Sequence, residues 1–138
     1  MIVYLDSSVI LRVLLGQTGS LREWKDLRGG VASALAEVEC LRTLDRLQVA
    51  EGIPPKEMAV RREAVYRIME SLEVVEPSRI ILDRAAQPMP TPLGTLDAIH
   101  LATALAWREH SGEDLTMATH DVALATAARS FGLRVIGC

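Results

Sequence analysis

The sequence predicts a three-layer α/β/α domain with a central, mainly parallel five-stranded sheet. Three observations carry this. Short apolar runs bounded by turn residues alternate with longer stretches of helical period. That strand–helix alternation favours parallel pairing through helical crossovers. Hydrophobic residues make up 49% and charged residues 24% of the 138 positions, an ordinary globular balance for one domain spanning 1–138.

The elements follow in order. Ile2 to Leu5 is a buried strand ending in Asp6, where a carboxylate is expensive to desolvate. Asp6 or Ser7 could simply cap the following helix, Ser7 to Leu15, which Gly16 closes. "GQTGS" is a loop, Leu21 to Leu27 a short helix ended by Gly29-Gly30, and "GVAS" a second strand. Ala34 to Ala50 is a long helix, with Leu35, Val38, Leu41, Leu44 and Leu47 near helical spacing. Gly52 stops it, and Pro54-Pro55 start the next, running from Lys56 to Leu72. "EVVEP" is a third strand, Ser78 to Ala86 a helix, and "QPMPTPLGT" a loop. Thr95 is expected to cap "LDAIHLATALAWREH", which Gly112 breaks. "LTMAT" is a fourth strand, His120-Asp121 a turn, "VALATAARSFG" a helix ending at Gly132, and "LRVIG" a fifth strand.

Composition narrows the function classes. Fifteen basic against eighteen acidic side chains give a net charge of −3, so binding of nucleic acid by bulk charge is not expected. A nucleic-acid partner would need local basic residues or bound cations. Cys40 and Cys138 have no C-x-x-C spacing, which leaves zinc unsupported and fits a reducing compartment. No basic-then-apolar leader and no membrane-length apolar run is present, so the expectation is a soluble, cytoplasmic protein without membrane contact.

In open parallel sheets, sites form outside the carboxyl ends of the strands. Asp6 follows the first strand and Asp121 lies just past "LTMAT". Asp97 lies in the first turn of its helix, and Glu39 in the second turn of the helix after "GVAS". Acids from four distant segments could therefore meet on one rim. Crowded like charges raise carboxyl pKa values, and a divalent cation relieves them best. Hard oxygen donors suit Mg²⁺, with Mn²⁺ able to substitute, rather than zinc.

Four blocks, "VYLDSSVILRVLL", "VASALAEVECLRTL", "TLDAIHLATAL" and "MATHDVALATAA", together resemble the signature blocks of PIN-domain proteins, VapC-type toxin ribonucleases above all. They occur in family order over nearly the whole chain. The resemblance implies a metal-dependent endoribonuclease that hydrolyses RNA phosphodiester bonds with a metal-activated water, leaving a 3′-hydroxyl and a 5′-phosphate. It also implies a cognate antitoxin partner in a toxin–antitoxin pair, and a homodimer. By position it maps the family's acids onto Asp6, Glu39, Asp97 and Asp121, and its small hydroxyl residues onto Ser8 and Thr119. "AEVEC" also offers Glu37. The family's usual spacing of six from the helix-opening serine, here Ser33, selects Glu39, and the two glutamates face well apart on a helix.

Other residues stay open at this level. His100, one turn after Asp97, could be a general acid or base, or could hydrogen-bond inside the core. His120 adjoins Asp121. Arg42, three after Glu39, could bind RNA phosphate at the site's edge or pair with an acid, and Arg12, Arg22, Lys25 and Arg28 could line a substrate groove near the first strand, although scattered charge is usually solvated surface. Trp24 could stack a base or pack on a partner. The helix pair from Ala34 to Leu72 is the expected antitoxin surface. A phosphatase of the two-aspartate kind would need an acid where Ser8 stands, and a dinucleotide fold would need a glycine-rich first turn that "LDSSV" lacks. The alternative from another class is a non-catalytic PIN-like module binding RNA or protein.

Overall fold

The structure, a computed structural model, describes all 138 residues. Five strands form one sheet: β1 (Ile2–Leu5), β2 (Gly29–Ser33), β3 (Glu73–Val75), β4 (Thr116–Ala118) and β5 (Arg134–Ile136). Six helices connect and cover them: α1 (Ser7–Leu14), α2 (Ala34–Glu51), α3 (Pro55–Glu70), α4 (Arg79–Ala85), α5 (Thr95–Ser111) and α6 (Val122–Ser130). The segment expected as a short helix near Trp24 is a single tight 3-10 turn, Arg22–Asp26. Thr95 is already inside α5, and Gly94 holds the capping position with extended backbone, so the expected threonine cap does not form. Ser33 and Ser78 do cap, accepting from Leu35 N–H and Ile81 N–H.

All four strand pairings are parallel, in the order β3-β2-β1-β4-β5. The chain therefore winds outward one way through β2 and β3, then starts again on the other side of β1. The carboxyl ends of β1 and β4 flank this switch point, where open α/β sheets place their sites.

Side-chain alternation along the strands builds two cores. Val3, Leu5, Ala32 and Ala118 face one layer, with Val9 and Ile10 of α1, Cys40 and Leu44 of α2, and Val65 of α3. Tyr4, Val31 and Met117 face the other, with Leu101 and Leu105 of α5 and Leu124 of α6. A side chain of this size contributes about 1.5–3 kcal/mol on full burial, so the aliphatic cores hold the sheet rigid with few aromatics. Trp24 packs partly buried against the first core. The α2–α3 pair leaves Val38, Val49, Val60 and Tyr66 exposed.

Gly137 closes β5 against the switch point. Its φ is +92°, and a Cβ there would lie 2.6 Å from the Thr119 carbonyl oxygen. Gly137→Ala should therefore destabilise the fold by about 1–3 kcal/mol, read as a lower urea midpoint. Gly29 has open space around it and an ordinary φ, so Gly29→Ala should be neutral or slightly stabilising. Equal losses at both positions would contradict this account of β5.

Candidate active site

The parallel register pairs Leu5 with Ala118, which brings Asp6 beside Thr119 at the ends of β1 and β4. The Asp6 backbone N–H donates to the Ala118 carbonyl at 3.1 Å, so pairing with β4 continues one residue past the end of β1. Asp6 sits at the capping position of α1 and is only 4% exposed, yet its side chain makes no capping bond. Instead its Oδ2 accepts two hydroxyl donors, Ser8 Oγ at 2.7 Å and Thr119 Oγ1 at 2.8 Å. Each hydroxyl also accepts a backbone N–H from the β4–α6 turn: His120 N–H to Ser8 at 3.2 Å, and Asp121 N–H to Thr119 at 3.0 Å. The carboxylate is thus oriented by a cycle spanning two strand ends, and its Oδ1 has no protein hydrogen-bond partner.

Asp121 does cap α6, its Oδ1 accepting from Leu124 N–H at 2.8 Å. Asp97 projects from the first turn of α5, half-buried and without a protein partner. Its pKa is raised from 3.8 to about 6 by burial and then by the nearby charges of Asp121, Asp6 and Glu39, which His100 partly offsets. The charges of the other three predicted acids are thus all felt at Asp97.

Glu39 turns inward from α2. Its Oε1 meets His100 Nε2 at 2.5 Å, and His100 Nδ1 lies 2.7 Å from the Tyr4 hydroxyl. Tyr4 and His100 pack edge to face, with ring centroids 5.9 Å apart. Burial lowers the His100 pKa, but the Glu39 hydrogen bond and the charges of Glu39, Asp6 and Asp97 outweigh it, and the net shift is upward. Burial, then the Asp6 charge, drives the Tyr4 hydroxyl strongly upward, so the phenol stays neutral. Below the acids, burial and the charges of Glu39, Asp6 and Glu37 push the Cys40 thiol up to about 12, leaving it an inert core residue.

The remaining candidates are dispersed. His100 has zero exposure and cannot touch a substrate from this position. Arg42 is exposed and paired to Asp45 at 2.9 Å, but it also lines a cavity of about 320 Å³ with Ser7, Glu39, Arg46 and Leu96, at the rim's edge. Arg12 makes a long 3.5 Å contact to the Gly19 carbonyl in the loop after α1. Arg28 lines the largest cleft, about 690 Å³, at the opposite, amino end of the sheet. None of the four acids lies there, so chemistry rather than volume locates the site. Tyr4 escaped the sequence reading. The available signal was a tyrosine inside a core strand, whose hydroxyl must find a partner.

No three His, Cys, Asp or Glu side chains stand close enough to grip one ion. Glu39 Oε1 is held by His100 and Asp121 Oδ1 by its cap. In kind, the donors fit a hard divalent cation. They are carboxylate oxygens, Asp97 and Asp6 Oδ1 have no protein hydrogen bond, and their crowding is felt in the raised Asp97 pKa.

The fold and this rim define an α/β protein with an acid-lined site at the switch point of an all-parallel sheet. The chain belongs to the PIN domain family, whose model matches residues 3–130. It is 36% identical to Ribonuclease VapC46 of Mycobacterium tuberculosis over 97% of this chain and 95% of that protein. It is 33% identical to Ribonuclease VapC35 of the same organism, with the same shares covered. Among solved structures it is similar to FitAcB from Neisseria gonorrhoeae, with a TM-score of 0.70 at 21% identity over 97% of this chain and 96% of that one. A toxin–antitoxin complex from Klebsiella pneumoniae gives 0.69 at 15% identity over 97% and 95%. At these identities the structural likeness shows the fold. No helix is long and apolar enough to cross a membrane.

The raised Asp97 pKa has a signed consequence. Folded Asp97 holds its proton to about pH 6, whereas the unfolded carboxyl releases it near 3.8. Its contribution to stability therefore falls as pH rises from about 4 to about 6. In EDTA, Asp97→Asn should match the wild type near pH 4. By pH 7 it should be more stable by on the order of 1 kcal/mol, after discounting for solvent screening of a half-exposed group. Denaturant melts across this range check it, and a wild-type-to-variant difference that stays constant with pH contradicts it.

Proposed function

We propose that this protein is a metal-dependent endoribonuclease acting as the toxin of a toxin–antitoxin pair. The single observation that carries the proposal is the convergence of Asp6, Glu39, Asp97 and Asp121 on one rim, with the Asp6 carboxylate aimed by Ser8 and Thr119. The names of its relatives support the same reading: VapC46 and VapC35 are named ribonucleases, and the Klebsiella pneumoniae structure of similar fold is a toxin–antitoxin complex.

Mg²⁺, or Mn²⁺ in its place, would activate water and stabilise charge on the phosphodiester oxygens when bound. Asp6 and Asp97 would hold it through oxygens that no protein donor occupies, with Glu39 and Asp121 completing the acidic set. Ser8 and Thr119 keep the Asp6 carboxylate from rotating away. Arg42 and Arg46, beside Glu39 on the cavity wall, are positioned to draw an RNA phosphate toward a chain whose net charge is −3. The exposed apolar residues of the α2–α3 pair suit an antitoxin, and a homodimer and a cytoplasmic location complete the reading.

Purified protein should cleave single-stranded RNA with Mg²⁺ or Mn²⁺ and stop in EDTA. Glu39→Gln should lower the rate by about 100-fold or more, whereas Glu37→Gln should keep most of it. Undiminished cleavage in EDTA would sink the metal mechanism. RNA binding without cleavage under any metal would favour the non-catalytic module. The reverse glutamate pattern would reassign the ligand.

A further inference from the structure

We propose that His100 and Tyr4 are positioning residues that orient the Glu39 carboxylate toward the acidic rim, an inference that rests on the metal reading above. Three segments meet in this contact. Tyr4 lies on β1 two residues before Asp6, His100 lies on α5 three residues after Asp97, and Glu39 lies on α2. The hydrogen bonds run in series: Glu39 Oε1 to His100 Nε2 at 2.5 Å, then His100 Nδ1 to the Tyr4 hydroxyl at 2.7 Å.

The proton arrangement follows from donor chemistry. An ionised carboxylate only accepts, so Nε2 must carry the hydrogen and donate it to Glu39. Nδ1 then accepts from the Tyr4 O–H when the imidazole is neutral and donates to the Tyr4 oxygen when it is protonated, and either way the 2.7 Å bond holds the ring. Tyr4 and His100 are fully buried, and the imidazole is packed edge to face against the phenol, so the ring has no freedom to swing. Glu39 is different. It is a flexible side chain with partial solvent access, and its attachment to α2 alone would leave several rotamers open. His100 removes that freedom by taking Oε1, which leaves Oε2 without a protein hydrogen bond and available to the rim.

The same contact fixes spacing between acids. Asp97 and His100 lie on one side of α5, so any movement of α5 that displaces Asp97 also moves the group holding Glu39. Tyr4 ties both to the strand that ends in Asp6. The arrangement matches the general pattern in which a ligating side chain is oriented by a buried partner, whose loss costs about 10–100-fold in metal affinity or activity.

The test uses the full-length protein and its Tyr4→Phe, His100→Gln, His100→Leu and Asp6→Asn variants. Mn²⁺ affinity is measured by titration calorimetry, and kcat and KM on an RNA substrate, below each variant's melting temperature. His100→Leu should lose about 10–100-fold in Mn²⁺ affinity and lose kcat, with KM for RNA little changed because His100 does not reach the surface. His100→Gln, whose amide N–H can still donate to Glu39, should regain most of both. Tyr4→Phe, which removes only the hydroxyl, should fall between. A merely structural role predicts lower melting temperatures with Mn²⁺ affinity and kcat intact in the folded protein. That result for Tyr4→Phe and His100→Leu, with Asp6→Asn still binding Mn²⁺ poorly, overturns the proposal alone. If Leu cannot be folded at position 100, a His100→Gln variant that loses as much affinity as Asp6→Asn overturns the donor role. Equal Mn²⁺ binding by wild type and Asp6→Asn overturns the metal reading itself, and this proposal with it.

Discussion

A carboxylate at the tip of a central strand costs several kcal/mol to desolvate unless its oxygens find partners. Asp6 meets this cost with two hydroxyls on one oxygen, from Ser8 on its own helix and Thr119 across the β1–β4 gap. Hydrogen bonds to a charged acceptor contribute about 1.5–3 kcal/mol each, so the pair is on the scale of the penalty. Both hydroxyls in turn anchor the backbone of the turn that starts α6. One buried charge thereby fixes the join of β1 to β4, and with it the placing of Asp121 in the rim. The turn is confined from behind by Gly137, which approaches the Thr119 carbonyl more closely than a side chain would permit.

The other half of the site is tied down differently. Glu39 and Asp97 come from the amino-terminal turns of α2 and α5, and neither is clamped by hydroxyls. Glu39 is held through His100, and Asp97 is left without a partner, crowded by its neighbours. The rim therefore combines one carboxylate fixed by the strand register, one capping a helix, one braced from the core and one free. The first three cost little once the fold is formed. The fourth carries the strain visible in its raised pKa, which is the condition a bound cation would relieve.

Much of this was legible in the sequence, for identifiable reasons. All five strands lie at the predicted apolar runs because each is short, apolar and bounded by turn residues. The long helices followed from periodicity, and their ends from Gly52 and Gly112, both left-handed in the structure. The rule that sites form at strand ends pointed to Asp6 and Asp121, which the structure places just past β1 and β4. What was not legible depended on contacts between segments far apart in the chain. Glu39 and His100 are separated by 61 positions, and Tyr4 and His100 by 96, so no local pattern announces that they touch. Thr95 misled for a local reason: a threonine before a helix usually caps it, but here the extended Gly94 already occupies that place.

The central claim is that the rim is a cation site assembled from four segments. The most direct measurement is anomalous diffraction from crystals of the protein grown with Mn²⁺. The account predicts a manganese peak contacted by Asp6 and Asp97, with Glu39 or Asp121 within ligand distance, and with Asp6 Oδ2 still held by Ser8 and Thr119. Manganese bound elsewhere on the surface, with the four carboxylates free of metal, would contradict it.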